Sequence, residues 1–201
     1  TVAPVAWDGD CTDLDCGACT LLIDGRPRPA CGTPLARVAR SGRAVTLEPL
    51  AKFPLVRDLV VDRARHGDVL RQLDPAIELG PERAVARPPA ARAPDAELAR
   101  SALGRCTGCC ACLEVCPQYG PHADYVGAAA IARVAFAVSH ETGALTRRAR
   151  VEALMVPGGV ADCGKAEACV EVCPQEIPLV DALQAMGRAT SRELLLGWLL
   201  G

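Results

Sequence analysis

The sequence predicts an α+β protein in which a strand-rich N-terminal module precedes a helical C-terminal module. Short apolar runs separated by turn signals reach to about residue 55, and longer helical periods follow from Arg57. The 12 cysteines fall into separate groups, and none of them lies between Cys31 and Cys106. These two observations place a module on each side of that gap.

Composition excludes several classes of protein. A net charge of −2 leaves no basic surface for nucleic acid, so we expect no nucleic-acid partner. The longest apolar run, Val126 to Val138, is interrupted by Arg133 and is shorter than the roughly 18 residues of a membrane span. The cysteines cluster in three runs at the spacings of metal ligands, which argues against a disulfide scaffold.

The first module is predicted to be a small set of strands. The apolar run 21–23 leads into Asp24-Gly25, a strong hairpin signal, and a return strand reaches Cys31. A further short strand covers Val45 to Glu48. We expect Trp7 to belong to the core of this module.

The second module is predicted to be helical. Helical periodicity runs from Arg57 to Leu73, with a break at Gly67, and prolines make residues 74–94 an extended segment. Asp95 is a candidate N-cap, and Ser191 is another. The further predicted helices cover Ala96–Leu103, 123–139, Arg147–Met155, Pro178–Ala189 and Arg192–Leu200.

The first cysteine run reads Cys11-x4-Cys16-x2-Cys19-x11-Cys31. This is the plant-type spacing of a [2Fe–2S] cluster, in which a tight loop wraps the cluster and a later strand adds the fourth thiolate. Gly17 removes a side chain from the crowded turn. A zinc site with four cysteine ligands is the alternative, since Cys16-x2-Cys19 alone also suits zinc.

The two later runs form an internal repeat with one difference. The first, Cys106-x2-Cys109-x2-Cys112-x3-Cys116-Pro117, has the bacterial ferredoxin spacing. The second holds Cys163, Cys169 and Cys173-Pro174, and Ala166 stands where the first has Cys109.

Crossed ligation assigns these cysteines to two clusters. In two-cluster ferredoxins the cysteine before proline binds the other cluster. Cys173 would then complete a [4Fe–4S] site with Cys106, Cys109 and Cys112. Cys116 would join Cys163 and Cys169 at a site with three thiolates, which suits a [3Fe–4S] cluster.

The remaining cysteine, Cys110, is expected to be a packed free thiol. Three cluster types in one chain indicate an electron-transfer path, because cluster potentials depend on type and span roughly −700 to +450 mV. No residue is predicted to be catalytic. His66, His122 and His140 are scattered and are expected at the surface or at helix ends, so substrate chemistry should lie on another subunit.

These motifs resemble the iron–sulfur subunits of succinate dehydrogenase and fumarate reductase, the enzymes of complex II. The resemblance rests on the first cysteine run, the hairpin 24–31, the segment Phe53–Asp62 and both later runs. Glu152–Met155 and Gly158–Cys163 look most like the subgroup of menaquinone-using bacteria.

The resemblance implies a two-domain fold. Residues 1–62 would form a β-grasp, plant-type ferredoxin-like domain around the [2Fe–2S] cluster, and residues 63–201 an all-helical ferredoxin domain around the other two. The β-grasp domain would be incomplete, because Cys11 comes too early for the family's first hairpin and helix, and we expect a fragment.

The resemblance also implies partners and a place in the cell. Electrons would pass between a flavoprotein subunit carrying FAD and quinone, here menaquinone, in a cytochrome b-type membrane anchor. The chain would lie peripherally on the cytoplasmic side of a bacterial inner membrane. Residues at the family's quinone contacts do not match, and Tyr119 is a weak candidate. The alternatives are a subunit of another membrane flavoprotein dehydrogenase and a free multi-cluster electron carrier.

Overall fold

The computed structural model describes residues 3–39, 42–73, 94–140, 143 and 146–200. Its content of strands followed by helices agrees with the predicted α+β class. The strands are β1 Thr20–Ile23, β2 Arg26–Pro29, β3 Leu47–Glu48, β4 Leu55–Arg57 and β5 Val60–Val61. The helices are α1 Leu35–Val38, α2 Ala64–Gln72, α3 Pro94–Gly104, α4 Ala111–Glu114, α5 Ala128–Ser139, α6 Arg147–Glu152, α7 Ala168–Glu171 and α8 Leu179–Leu200.

The predicted hairpin is present at the centre of the first sheet. β1 and β2 pair antiparallel, β3 pairs with the other edge of β1, and the order is β2-β1-β3. Asp24 and Gly25 have φ values of +50° and +72°, which the two-residue turn requires. Leu21 and Ile23 are buried beneath the sheet.

The prediction of helical structure from Arg57 is wrong for the residues before Ala64. β4 and β5 form a second antiparallel pair there, turned at Asp58 in the left-handed region. The helix α2 begins at Ala64, whose N–H donates to the Asp62 carboxylate, and it continues through Gly67 without a break. The expected core position of Trp7 is also wrong, because its side chain is 60% exposed.

The helical core is built around α5. Nearly all of its residues are buried, as the alanine-rich sequence predicts, and it packs against α3 and α8. It begins at Ala128 rather than at residue 123, because Gly127 with φ +90° turns the chain just before it. A side chain at Gly127 would also collide with Leu113.

The C-terminal residues form one helix where two were predicted. α8 runs unbroken from Leu179 to Leu200, and the Ser191 hydroxyl donates to the carbonyl of Gly187 within it. Ser191 is therefore an interior helix residue and not a cap. Asp95 likewise lies inside α3. The extended segment predicted for residues 74–94 lies outside the described residues, apart from Pro94 at the start of α3.

One buried carboxylate joins the strand module to the helical one. Glu114, at the end of α4, accepts hydrogen bonds from the N–H groups of Ala51 and Lys52, both at 3.1 Å. The Lys52 ammonium donates in turn to the carbonyl of Cys116. These bonds fix the loop before β4 against the run of cysteines in the second module. No helix of the described residues combines the length and the apolar character that crossing a membrane requires.

Candidate iron–sulfur centres

The structure brings the first four cysteines together in two pairs. The Cys16 N–H donates to the Cys11 sulfur at 3.2 Å, and the sulfurs of Cys19 and Cys31 are 3.4 Å apart. The hydrogen bond from Cys16 lowers the pKa of Cys11 to about 7. Burial, and next the contact with Cys19, raise the pKa of Cys31. The loop and the strand end therefore converge as the spacing predicts.

This arrangement fits two metal atoms with two thiolates each. Thiolates bound to one tetrahedral metal at about 2.3 Å lie about 3.8 Å from each other. The 3.4 Å between the sulfurs of Cys19 and Cys31 is close to that separation. Within the described part of the chain, no three His, Cys, Asp or Glu side chains converge around the position of a single metal ion. The close pair of Cys19 and Cys31 fits a [2Fe–2S] cluster, in which each iron takes two thiolates.

Arg63 supports this loop from the start of α2. Its guanidinium donates to the carbonyls of Gly17 and Ala18, each at 2.9 Å, and to that of Thr20 at 3.0 Å. Gly17 and Thr20 are buried, so these carbonyls depend on protein donors rather than on water. Sequence reasoning did not find Arg63, because nothing in the local pattern links it to a loop more than 40 positions earlier.

A second group of cysteines lines a small cavity between the two later runs. The cavity measures about 20 Å³, and Cys106, Cys109, Cys112 and Cys173 all line it. Burial, followed by the neighbouring thiolates of Cys106 and Cys173, raises the pKa of Cys109. Four thiolates from two distant segments are the donor set of a [4Fe–4S] cluster, so the chemistry of the lining residues fits that group.

A third group lines a larger cavity of about 750 Å³. It contains Cys116, Cys163 and Cys169, and Ala166 lies in the same lining. Burial and then the charges of Cys116 and Cys163 raise the pKa of Cys169, as three neighbouring thiols would do. Each cavity takes cysteines from both runs, as the predicted crossed ligation requires.

The backbone repeats between the two runs. Gly108 and Lys165 both have positive φ, and so do Cys110 and Glu167, the residues before α4 and α7. Both helices span four residues with nearly identical sequences, ACLE and ACVE. Ala166 therefore occupies the backbone position that corresponds to Cys109, and Cys110 corresponds to the exposed Glu167.

Cys110 differs from Cys109 and Cys112 because its thiol donates a hydrogen bond to the backbone. It is buried, and its thiol donates to the carbonyl of Gly108 at 3.2 Å, although it also lines the small cavity. Burial raises its pKa to about 12, so the thiol is held in its protonated form. That Cys110 binds no cluster stays a prediction.

Tyr119, Tyr125 and His66 are all buried. Tyr119 is buried against Phe53 and does not line the large cavity, whereas Tyr125 does. Tyr125 is 3% exposed, and its hydroxyl has no hydrogen-bond partner among the described residues. His66 was expected at the surface or at a helix end. It lies in the first turn of α2 and is buried there, and burial lowers its pKa.

Comparison with known families gives two matches that together span both modules. Residues 1–68 match the family described as "2Fe-2S iron-sulfur cluster binding domain". Residues 105–178 match the "4Fe-4S dicluster domain".

Similar proteins match along nearly the whole chain. The succinate dehydrogenase iron-sulfur subunit of Bacillus subtilis is 38% identical over 94% of this chain and 73% of its own length. The fumarate reductase iron-sulfur subunit of Escherichia coli O6:H1 is 30% identical over 97% of this chain and 78% of its own length. Among solved structures, the Mycobacterium smegmatis Sdh1 complex in the apo form contains a chain that is 26% identical, with a TM-score of 0.75 over 94% of this chain and 78% of that one.

Proposed function

This chain belongs to the iron–sulfur subunits of succinate dehydrogenase and fumarate reductase, and from that premise we propose which of its cysteines hold each cluster and which partners they connect. It is an electron-transfer subunit of complex II. The observation that carries the proposal is the grouping of the cysteines at three places, four at the first, five at the second and three at the third. At the second place the Cys110 thiol is bonded to the carbonyl of Gly108, which leaves four for the cluster.

The proposed ligands follow that grouping. The [2Fe–2S] cluster is bound by Cys11, Cys16, Cys19 and Cys31. The [4Fe–4S] cluster is bound by Cys106, Cys109, Cys112 and Cys173. The [3Fe–4S] cluster is bound by Cys116, Cys163 and Cys169, and the position of Ala166 in the large cavity supports three ligands there. Each cluster, when bound, accepts and gives up single electrons.

The protein contributes placement and shielding at these sites. The guanidinium of Arg63 holds the carbonyls of the first loop and adds a positive charge beside it. Glu114 fixes the strand module against the helix that carries Cys112. At the second site Cys112 is buried and the other three proposed ligands are half-buried, which limits contact with water.

The proposed partners are a flavoprotein subunit carrying FAD and a cytochrome b-type membrane anchor with quinone, here menaquinone. The chain would lie peripherally on the cytoplasmic side of a bacterial inner membrane. We assign residues 1–62 to a β-grasp domain and residues 63–201 to the helical domain. The packing of α2 against α5 supports a boundary ahead of Ala64.

Metal analysis of the purified complex tests the assignment. We expect nine irons for each copy of this chain, the sum over the three cluster types. Electron paramagnetic resonance of the oxidised protein should show the signal of a [3Fe–4S] cluster. A complex with intact subunits and no such signal would contradict the three-cysteine site.

Substitution of Ala166 by cysteine sharpens this test. The new thiolate would stand where Cys109 stands in the other run, so the third site should bind a fourth iron and lose its oxidised three-iron signal. Ala161→Cys is a control, because Ala161 lines the same cavity outside the repeat. If Ala166→Cys kept the three-iron spectrum, Ala166 would not lie at the open corner.

A further inference from the structure

The loop around the first site touches the loop around the second at Gly17. A β-carbon built on Gly17 would lie 2.7 Å from the Cβ and 2.8 Å from the Cα of Cys109. The Thr107 hydroxyl would be 2.9 Å away. Cβ contacts this short are essentially never seen in proteins, and the Cα of Cys109 belongs to the backbone, so the neighbour cannot rotate aside. The two loops are in contact because Gly17 has no side chain.

Hydrogen bonds hold this contact from both sides. The side-chain amide of Gln175, two residues after Cys173, donates to the carbonyl of Leu14 at 3.0 Å. Arg63 donates to the carbonyl of Gly17 itself at 2.9 Å. The junction therefore joins the loop of the first site to both segments that line the second cavity.

We propose that Gly17 is a positioning residue for electron transfer, whose missing side chain lets the first loop lie directly against Cys109. One electron leaves the [2Fe–2S] site and enters the [4Fe–4S] site, or the reverse, and no bond or proton changes hands. The rate of such a step falls steeply with the distance between the two sites, so a group that separates the loops slows it. This inference rests on the proposed ligands.

A purely conformational role for Gly17 has to be separated from this one. Gly17 has φ +68°, so any side chain there also strains the backbone. Gly25 supplies the matched control. It lies in the same module with φ +72°, and a β-carbon there would meet nothing within 4 Å. Gly25→Ala therefore adds comparable strain without pushing on another loop.

The experiment compares Gly17→Ala with Gly25→Ala in the assembled complex. The presence of all three clusters in the unaltered complex tests the proposed clusters separately, before either variant is made. In Gly17→Ala we expect weaker enhancement of the [2Fe–2S] spin relaxation by the reduced [4Fe–4S] cluster. We also expect a several-fold slower electron transfer between these two sites after rapid mixing. Gly25→Ala should match the unaltered complex in both measurements.

A second variant covers the case in which Gly17→Ala loses its [2Fe–2S] cluster. Gln175→Met removes the hydrogen bond from the side-chain amide to the carbonyl of Leu14, so the loops should separate and the spin coupling should also weaken. It leaves the sequence of the first loop and all proposed ligands unchanged. If Gly17→Ala retains its clusters and matches Gly25→Ala in both measurements, the proposal is overturned. If Gly17→Ala loses the cluster and Gln175→Met leaves the coupling unchanged, it is overturned as well.

Discussion

At the scale of single residues, Tyr125 is a buried donor beside the third site. Its hydroxyl has no hydrogen-bond partner among the described residues, and a buried hydroxyl without a partner costs about 1–3 kcal/mol. Burial raises the pKa of Tyr125 most, and the nearby Cys163 raises it further. The two side chains nevertheless lack the geometry of a hydrogen bond. A cluster bound by Cys163 would place further acceptors in this cavity, which also contains Tyr125.

Removing this hydroxyl should lower the reduction potential of the third cluster. Hydrogen bonds to the sulfurs favour the more negative, reduced state, so Tyr125→Phe loses stabilisation of that state. A redox titration followed by electron paramagnetic resonance would measure the shift. Tyr119→Phe is the control. It removes the hydroxyl of the other tyrosine in the chain, which does not line the large cavity. Equal potentials in the two variants would show that Tyr125 does not bond to the cluster.

At the scale of elements, the start of α2 stabilises the loop of the first site. Arg63 precedes the helix and reaches three carbonyls of a loop that has little secondary structure of its own. The strands β1 and β2 bring Cys19 and Cys31 together, whereas Gly17 and Ala18, just before β1, lie outside any helix or strand.

Arg63→Met should therefore destabilise the first site selectively. It keeps a long side chain but removes three charge-assisted hydrogen bonds, and we expect a loss of about 3 kcal/mol in the free energy of unfolding. The loss of [2Fe–2S] absorbance, followed as denaturant is added, measures this stability. Its midpoint should lie at a lower denaturant concentration in Arg63→Met. Arg57→Met is the control, since Arg57 is exposed and its ion pair with Asp58 is worth about 0–1 kcal/mol. A shared midpoint for the two variants would assign Arg63 no special role.

Elements with local signals were predictable, and those set by distant contacts were not. Asp24-Gly25 fixes the first hairpin through its own backbone preferences, and the alanine-rich run fixes the buried character of α5. The turn at Asp58 was missed because Asp58 is followed by Leu59 and not by glycine, so it lacks the Asp-Gly signal of the first hairpin. Ser191 was predicted to be a cap because serine is common at helix starts. The sequence does not show that its hydroxyl instead bonds to the carbonyl of Gly187 inside a helix.

The candidate site followed the same rule. Cysteine spacing, together with the crossed ligation of two-cluster ferredoxins, predicted three groups for 11 thiols, because most ligands of a cluster come from one short loop. Tyr125 and Gln175 could not be found this way, since each acts across a fold that the spacing does not describe.

At the scale of the whole molecule, α8 links the buried sites to an exposed apolar surface. Leu179 at its start lines the small cavity, and Leu195 near its end lines the large one. The helix has 22 residues, a length of about 33 Å at 1.5 Å per residue. Trp198 and Leu199 beyond are 80% and 67% exposed, which is the character of a surface that a partner covers.

Replacing both residues with serine should weaken attachment to the proposed membrane anchor. Trp198→Ser with Leu199→Ser removes apolar area, at about 25 cal/mol for each Å² that the partner would bury. We expect a smaller fraction of the chain to co-purify with the cytochrome-containing membrane subunit, with cluster content unchanged. Leu98→Ser, at an equally exposed leucine of α3, is the control. If the double variant co-purified with the membrane subunit as fully as the unaltered chain does, the anchor would contact a different surface.

The crossed cavities also constrain how the chain can be made. A nascent chain that has emerged only as far as α4 already carries Cys106, Cys109 and Cys112, but the fourth proposed ligand of that cavity, Cys173, has not yet been synthesised. Iron delivered to the helical module at that stage would find an incomplete ligand set, while the first module already has all four of its cysteines. The proposed [4Fe–4S] site can therefore be completed only after Cys173 leaves the ribosome, later than the cysteines of either other site.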